Sequence, residues 1–505
     1  MTLEQLAGQL LWCGWGEAPE PEPRRYNDHA RLLVEEIGVG GMVLFTRNLG
    51  TPAEIAELTD ELRRHAAQPP LIGIDQEGGR VSRLPLPGMV FSGNMALGLI
   101  DDLDLTRLVT RSIGEQLAAL GIDVDFAPSV DVNNNPRNPI IGVRSFGSDP
   151  ELVSRHAVAA VAGLTDAGIL PVIKHFPGHG DTGEDSHLEL PTLNIERSRL
   201  DSVELRPFAE AIARGAPAVM STHILFPALD PELPSTLSRR VLTGLLREEL
   251  GFQGLIVTDC LEMKGIADHW GPEEAAVLAL EAGADMLLVC HTLETQIRMH
   301  QAICQAVRAG RLTEDRLRQS VARVQYARDR VAGVRERERR PDRVSAGGYR
   351  DLETRVADEA LAAVAEAPLS LPPLDRTAPV FVGGVPALAQ QLAGAIRTHG
   401  VAATPFESLR EVNGDRAQVV WIVLPHDPFP GGRPPEPVAT WLSGQHRAIV
   451  VSAREPYCLG HYPAQLPRVA AWGALPVHLD AIARALAGNR TTPLRPLTLP
   501  PGWRS

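Results

Sequence analysis

Eight short apolar runs recur between residues 10 and 290, and amphipathic stretches of helical length separate most of them. The runs are LLWCGW (10–15), GMVLF (41–45), PLIGID (70–75), DVDFAPSVDV (123–132), PVIKHF (171–176), AVMSTHI (218–224), LIVTD (255–259) and MLLVC (286–290). Each is about strand length and rich in Val, Ile and Leu. The intervening segments include PAEIAELTDELRRHAA (52–67), PELVSRHAVAAVAGLTDAG (150–168) and SVELRPFAEAIARG (202–215), and glycine closes several of them. Strands buried on both faces and joined by helices build a parallel sheet. Eight such units predict a (β/α)8 TIM-type barrel. A doubly wound open sheet is the competing arrangement. The lack of a GxGxxG after the early strands weighs against its dinucleotide-binding form.

The pattern changes at GVRERERRPDRVSAGGYR (333–350), which is charged and then Ser/Gly-rich, as a linker is. The expected organisation is a catalytic barrel over 1–335, a linker over 336–352 and a C-terminal α/β sandwich domain over 353–505. In the last part a helix over 352–366 precedes strands in PVFVGGV, QVVWIVLP and RAIVVSA, with helical runs at 386–400 and 479–488. These predict a smaller three-layer, flavodoxin-like α/β domain. It carries no dense polar motif.

The net charge of −13 argues against nucleic acid or an anionic membrane as partner, since either calls for a basic face. No apolar run reaches the length of a membrane span. The N-terminus MTLEQLAGQLLWCGWG lacks the basic start of a signal peptide. Five scattered cysteines without a CxxC pair fit free thiols in a reducing compartment, so the cytoplasm is expected. Among 49 cationic side chains only Lys174 and Lys264 are lysines. Lys174, kept in so arginine-rich a chain and inside a crowded polar stretch, points to a place where a compact charge is needed, and Lys264 is left open.

In a barrel the chemistry collects at the C-terminal strand ends. Asp75, Lys174 with His175, Thr222 with His223, and Asp259 all fall there, and 123–132 leads into NNNPRNPIIGVRSFGSDP. Beyond Lys174 the chain reads KHFPGHGDTGEDSH (174–187), a loop by its glycines and proline. Three readings of it compete. His175, His179, Asp181, Asp185 and His187 are possible metal ligands, although their spacing matches no familiar signature. The histidines can instead tie the loop down by hydrogen bonds, the reading preferred for His179. Third, Asp185 and His187 form an acid/base dyad, the carboxylate fixing the tautomer of an imidazole that exchanges a proton with substrate. The third reading accounts for most of the pattern.

IDQEGGRVSRL, NNNPRNPIIGVRSFGSDP, KHFPGHGDTGEDSH and the TD of IVTDCLEMKGI together resemble the β-N-acetylglucosaminidases of glycoside hydrolase family 3, over roughly residues 8–330. The resemblance implies Asp259 as catalytic nucleophile and His187 as acid/base with Asp185 as its partner. It implies Asp75, Arg83, Arg144, Lys174 and His175 as the residues that bind the N-acetylglucosamine ring. Cys260 departs from the aspartate or alanine that many members carry after the nucleophile, and its side chain is expected to point away from the pocket.

The expected activity is that of a retaining exo-β-N-acetylglucosaminidase acting on a GlcNAc-containing oligosaccharide or muropeptide, with no cofactor and no metal. Peptidoglycan recycling is a fitting role. A phosphorylase using the same Asp/His pair is the near alternative, because a histidine does not repel phosphate as a carboxylate does. A non-catalytic sugar-binding protein and a metal-dependent barrel hydrolase are alternatives of other classes.

Overall fold

The computed structural model describes residues 1–17, 22–84, 91–183, 190–338, 340–344, 349–412, 417–423, 436–444, 447–454, 456–490 and 492–498. The chain divides into two compact units. One comprises Met1–Val90, Asp102–Asn135 and Ser145–Gly348, the other Phe91–Asp101, Pro136–Arg144 and Tyr349–Ser505.

In the first unit all eight apolar runs form strands, at Leu11–Cys13, Gly41–Leu44, Leu71–Ile74, Val124–Asp125, Leu170–Phe176, Ala218–Ser221, Leu255–Val257 and Leu287–Val289. Each pairs in parallel with its neighbour in sequence, and the eighth pairs with the first. A parallel bridge between Val257 and Met286 joins the seventh to the eighth, backed by the Thr258 N–H donating to Met286 O at 3.0 Å. The ring of strands is a (β/α)8 barrel, and the open-sheet alternative falls away.

Large side chains fill the barrel. Trp12 meets Phe126 edge-on, with ring centroids 4.9 Å apart. Two glycines make room for them. A Cβ on Gly41 would lie 2.5 Å from the Trp12 ring, and one on Gly73 would lie 2.9 Å from the rings of Phe126 and Trp12. Burial of a Phe-sized side chain contributes about 1.5–3 kcal/mol.

The N-terminal end of the barrel has its own polar device. Two buried aspartates stand two residues after a glycine, in GID (121–123) and GAD (283–285). Asp123 accepts from the Ile72 N–H at 3.0 Å and pairs with Arg63 at 2.7 Å. Asp285 accepts from the Ile256 N–H at 3.0 Å and faces Arg247, Arg323 at 3.0 Å and Arg316 at 3.8 Å. Each carboxylate binds a strand's backbone to cations of the surrounding helices.

The helix expected over 52–67 spans Pro52–Arg64, started by a Thr51/Glu54 capping box with Pro52 in its first turn. The one expected over 150–168 spans Pro150–Asp166, with Asp149 as its cap. The one expected over 202–215 starts later, at Arg206, with Pro207 in its first turn, and a separate short helix Arg197–Ser202 precedes it. No helix among the described residues is long and apolar enough to cross a membrane.

The second unit holds a seven-stranded sheet. The three expected strands, Val380–Gly384, Gln418–Val423 and Ala448–Ser452, lie side by side and parallel. Ala403–Pro405 flanks them on one side. Arg468–Ala470, Ala362–Val364 and Arg495–Leu497 follow on the other. Ala362–Val364 runs antiparallel to Arg468–Ala470, so the sheet is mixed. The helix expected over 352–366 spans Arg350–Ala360, and part of its expected last turns is instead the strand Ala362–Val364. Val382, Leu392, Ile396, Val420, Val451 and Leu479 are among its core residues.

Candidate active site

The fifth strand of the barrel delivers Lys174 to the C-terminal end. Its ammonium lies 2.7 Å from Asp75 Oδ1 and 2.7 Å from Glu77 Oε1. The third strand ends one residue before Asp75, and Gln76–Gly78 pairs with Val81–Ser82 in a small ribbon that brings Arg83 back beside it. Arg83 stands 4.0 Å from Asp75 Oδ2, and its amide donates to Gln76 Oε1 at 2.8 Å. Asp75, Arg83 and Lys174 are thus brought together as expected. Glu77 joins them and was missed, although it lies two residues from Asp75 in IDQEGG.

Asp125, at the end of the fourth strand, is the second residue missed. It is fully buried, and its Oδ1 accepts from the Gln76 N–H at 2.9 Å. Its Oδ2 is buried without a hydrogen-bond partner. Burial pushes this carboxyl well above the usual carboxylate range, against the pull of the Gln76 N–H and of Lys174. The site therefore holds one ammonium, two carboxylates bound to it and one carboxyl whose charged form burial disfavours.

His175 faces a different partner. Its Nδ1 lies 2.7 Å from Asp131 Oδ2, and its amide donates to Asp131 Oδ1 at 3.1 Å. The His179 amide donates to the same Oδ1 at 2.7 Å, and Ser129 Oγ donates to Oδ2 at 2.9 Å. Burial alone would raise Asp131; the charge and hydrogen bonds of His175, with His179, outweigh it and hold the group down at about 2. Asp131 was missed as well. The signal was present: DVDFAPSVDV puts three aspartates inside an apolar run, and each has to find a partner there. Asp123, Asp125 and Asp131 find Arg63, the Gln76 amide and His175.

The stem of the polar loop is tightly held. His179 is buried, and its Nδ1 meets Thr182 Oγ1 at 2.9 Å, the loop-tying role preferred for it. Asn135 Nδ2 donates to the carbonyls of Asp181 and Thr182 at 3.2 Å each. Arg199 pairs with Asp181 at 2.8 Å and with buried Glu204 at 3.0 Å. Gly180 passes so close to the fourth-strand extension that a Cβ would lie 1.7 Å from Val132 O. Of the possible metal ligands in this loop, His175 and His179 each commit Nδ1 to a protein partner. Asp185 and His187 lie outside the described residues.

Asp259 follows the seventh strand by two positions and is partly exposed. Its Oδ1 accepts from the Cys260 N–H at 2.7 Å. His223, just past the sixth strand and fully buried, braces the same turn: its Nε2 is 3.0 Å from Cys260 O and its Nδ1 is 2.9 Å from Thr236 Oγ1. The Cys260 sulfur lies 3.9 Å from Glu262 Oε2. Arg144 belongs to the second unit, where its carbonyl accepts from Asn94 Nδ2 at 2.7 Å and its Nη1 donates to Ile140 O at 3.3 Å.

A closed parallel barrel with a buried lysine, paired carboxylates and a carboxylate turn at the C-terminal strand ends defines a (β/α)8 enzyme. The family model for the glycosyl hydrolase family 3 N terminal domain matches residues 2–327. The chain belongs to that family, and it is a glycoside hydrolase.

The beta-hexosaminidase A of Pseudoalteromonas piscicida is 37% identical over 362 residues, which cover 64% of this chain and 60% of that protein. A beta-hexosaminidase of Alkalilimnicola ehrlichii is 38% identical over 283 residues, 54% of this chain and 79% of that one. Among solved structures, the family 3 β-N-acetylglucosaminidase of Paenibacillus sp. str. FPU-7 superposes with a TM-score of 0.87 at 38% identity. That match covers 99% of this chain and 100% of the other.

Proposed function

We propose that the protein is a retaining exo-β-N-acetylglucosaminidase that releases terminal β-linked GlcNAc through a covalent glycosyl–Asp259 intermediate. The observation that carries this reading is the placement of Asp75, Lys174 and Asp259 at the C-terminal ends of three strands of one barrel. The near full-length likeness to the Paenibacillus β-N-acetylglucosaminidase supports it, as do the relatives named beta-hexosaminidase.

In this reading Asp259 attacks the anomeric carbon while the glycosidic C–O bond breaks. Protonated His187 gives its proton to the leaving oxygen. It then takes a proton from water, which attacks the same carbon and frees Asp259. Asp185 fixes the His187 tautomer. A histidine suits the role, since its unperturbed pKa of about 6.5 lies close to neutral pH. Asp75, Arg83, Arg144, Lys174 and His175 bind the sugar. Asp75 and Glu77 hold the ammonium in place, which supports a role in aligning ring hydroxyls. GlcNAc-bearing peptidoglycan fragments are the proposed substrates. The five cysteines, all buried thiols, suit a reducing cytoplasm.

An aryl β-N-acetylglucosaminide tests the activity, with and without phosphate. Hydrolysis that phosphate does not alter supports the reading, and a sugar 1-phosphate product overturns it in favour of a phosphorylase. Asp259→Ala is expected to reduce turnover to background. A slow 2-fluoro sugar is expected to label the peptide containing Asp259, and a label elsewhere refutes the nucleophile assignment.

A further inference from the structure

We propose that Cys260, Glu262 and His291 form a binding site for a thiophilic divalent cation, zinc by the chemistry of its donors, and that an ion bound there restrains the Asp259 turn. Cys260 and Glu262 lie in the turn after the seventh strand, and His291 follows the eighth. The Cys260 sulfur, a Glu262 carboxylate oxygen and a ring nitrogen of His291 lie within 4.8 Å of one another.

A tetrahedral zinc with bonds of about 2.0–2.3 Å places its donors roughly 3.3–3.7 Å apart. The three groups need to close by only about an ångström. The pair Cys260 Sγ and Glu262 Oε2 is already at 3.9 Å. One sulfur, one nitrogen and one oxygen from the protein leave a fourth position for water, and a donor set with thiolate and imidazole selects zinc over magnesium or calcium.

The site is built before any ion arrives. Glu262 is anchored through both oxygens: Oε2 accepts from the His291 N–H at 2.7 Å and Oε1 from the Thr292 N–H at 2.9 Å. Oε2 also faces the Cys260 thiol at 3.9 Å, and loss of the thiol proton frees that lone pair for an ion. The carboxylate of Glu17 lies 2.7 Å from His291 Nδ1, and the Phe45 ring packs at 5.5 Å from the imidazole. His291 and Glu262 are partly exposed, which gives an ion a way in, while Cys260 is buried beneath them. Binding transfers the thiol proton to solvent and involves no redox change.

The link to turnover is short. The Cys260 amide donates to Asp259 Oδ1 at 2.7 Å, and the Cys260 carbonyl is held by His223. An ion on the Cys260 sulfur fixes the peptide that adjoins Asp259. This second half rests on Asp259 as the nucleophile; the site itself does not.

The test uses cobalt(II) as the probe on the full chain. The expected result is a thiolate-to-cobalt absorption in the near ultraviolet that saturates at about one equivalent and disappears when zinc is added. Cys260→Ser is expected to abolish the band, and His291→Ala to weaken cobalt binding by about tenfold or more. Circular dichroism verifies that each variant is folded. No thiolate band in the parent, or an undiminished band in Cys260→Ser, overturns the site. Zinc is further expected to inhibit turnover reversibly in the parent and not in Cys260→Ser. A cobalt band with turnover indifferent to zinc overturns the restraint on Asp259. Absence of any glycosidase turnover before zinc is added overturns the functional reading instead, whatever the cobalt spectrum shows.

Discussion

Replacing Lys174 by methionine tests how the charges of the site are balanced. The side chain keeps most of its volume and loses its charge. In the parent the ammonium lies 2.7 Å from both Asp75 and Glu77, and the three side chains are 2%, 22% and 1% exposed in that order. Asp75 can recover solvation when its partner is removed; Glu77 cannot. Stripping one partner from a buried pair costs about 3–5 kcal/mol. Proton uptake by Glu77 relieves part of this, so the expected loss is near the low end, about 3 kcal/mol. Lys174→Met/Glu77→Gln removes the stranded carboxylate and is expected to recover about 2 kcal/mol relative to the single variant. The assay is urea unfolding of the full chain by tryptophan fluorescence, in which the fully buried Trp12 and Trp15 report on the barrel. A loss below about 1 kcal/mol for Lys174→Met, or a double variant no more stable than the single, would refute the claim that Glu77 serves to hold the ammonium.

Asp131 is held at about 2 in the fold against an ordinary 3.8. Its contribution, roughly 2 kcal/mol, is complete above pH 3.8 and fades as the pH falls toward 2. Asp131→Asn is expected to remove that acid-limb dependence from a series of urea midpoints, and an unchanged slope refutes it. Asp125 behaves oppositely: its folded pKa is raised, so its charged form opposes folding and stability declines as the pH rises above 3.8. Asp125→Asn keeps the acceptor for Gln76, and at pH 8 it is expected to be at least as stable as the parent; a loss above about 1 kcal/mol shows that Asp125 is charged in the fold. Gly180→Ala forces the loop stem away from Val132 O and is expected to lower kcat far more than it lowers the urea midpoint. His187→Ala is expected to slow substrates with poor leaving groups most, and an equal loss across leaving groups argues against an acid role.

What could be read from the sequence follows from the range of the forces involved. The eight barrel strands were visible because a strand buried on both faces writes itself as a continuous apolar run, whatever it pairs with. The four extra strands of the second sheet are three residues each, too short to carry a pattern. The site was half visible. Asp75 and Lys174 were found from their place at strand ends, but the bond between them spans 99 positions, and Glu77 and Asp125 gain meaning only once that bond exists. Asp131 announced itself as an aspartate inside an apolar run, but its partner His175, 44 positions away, did not.

Paired aspartates sit at both ends of the barrel, and the sequence alone does not separate them. At the N-terminal end Asp123 and Asp285 take arginines, whose several donors reach across from helices and bind carboxylate and backbone together. At the other end Asp75 shares a lysine with Glu77, and Asp131 takes a histidine. A guanidinium fork fills the lone pairs around it and finishes the structure. An ammonium is a compact charge on a flexible stem, and at position 174 it meets two carboxylates at 2.7 Å each. A chain that uses arginine for nearly every other cation keeps lysine at position 174, where a compact charge lies buried between Asp75 and Glu77.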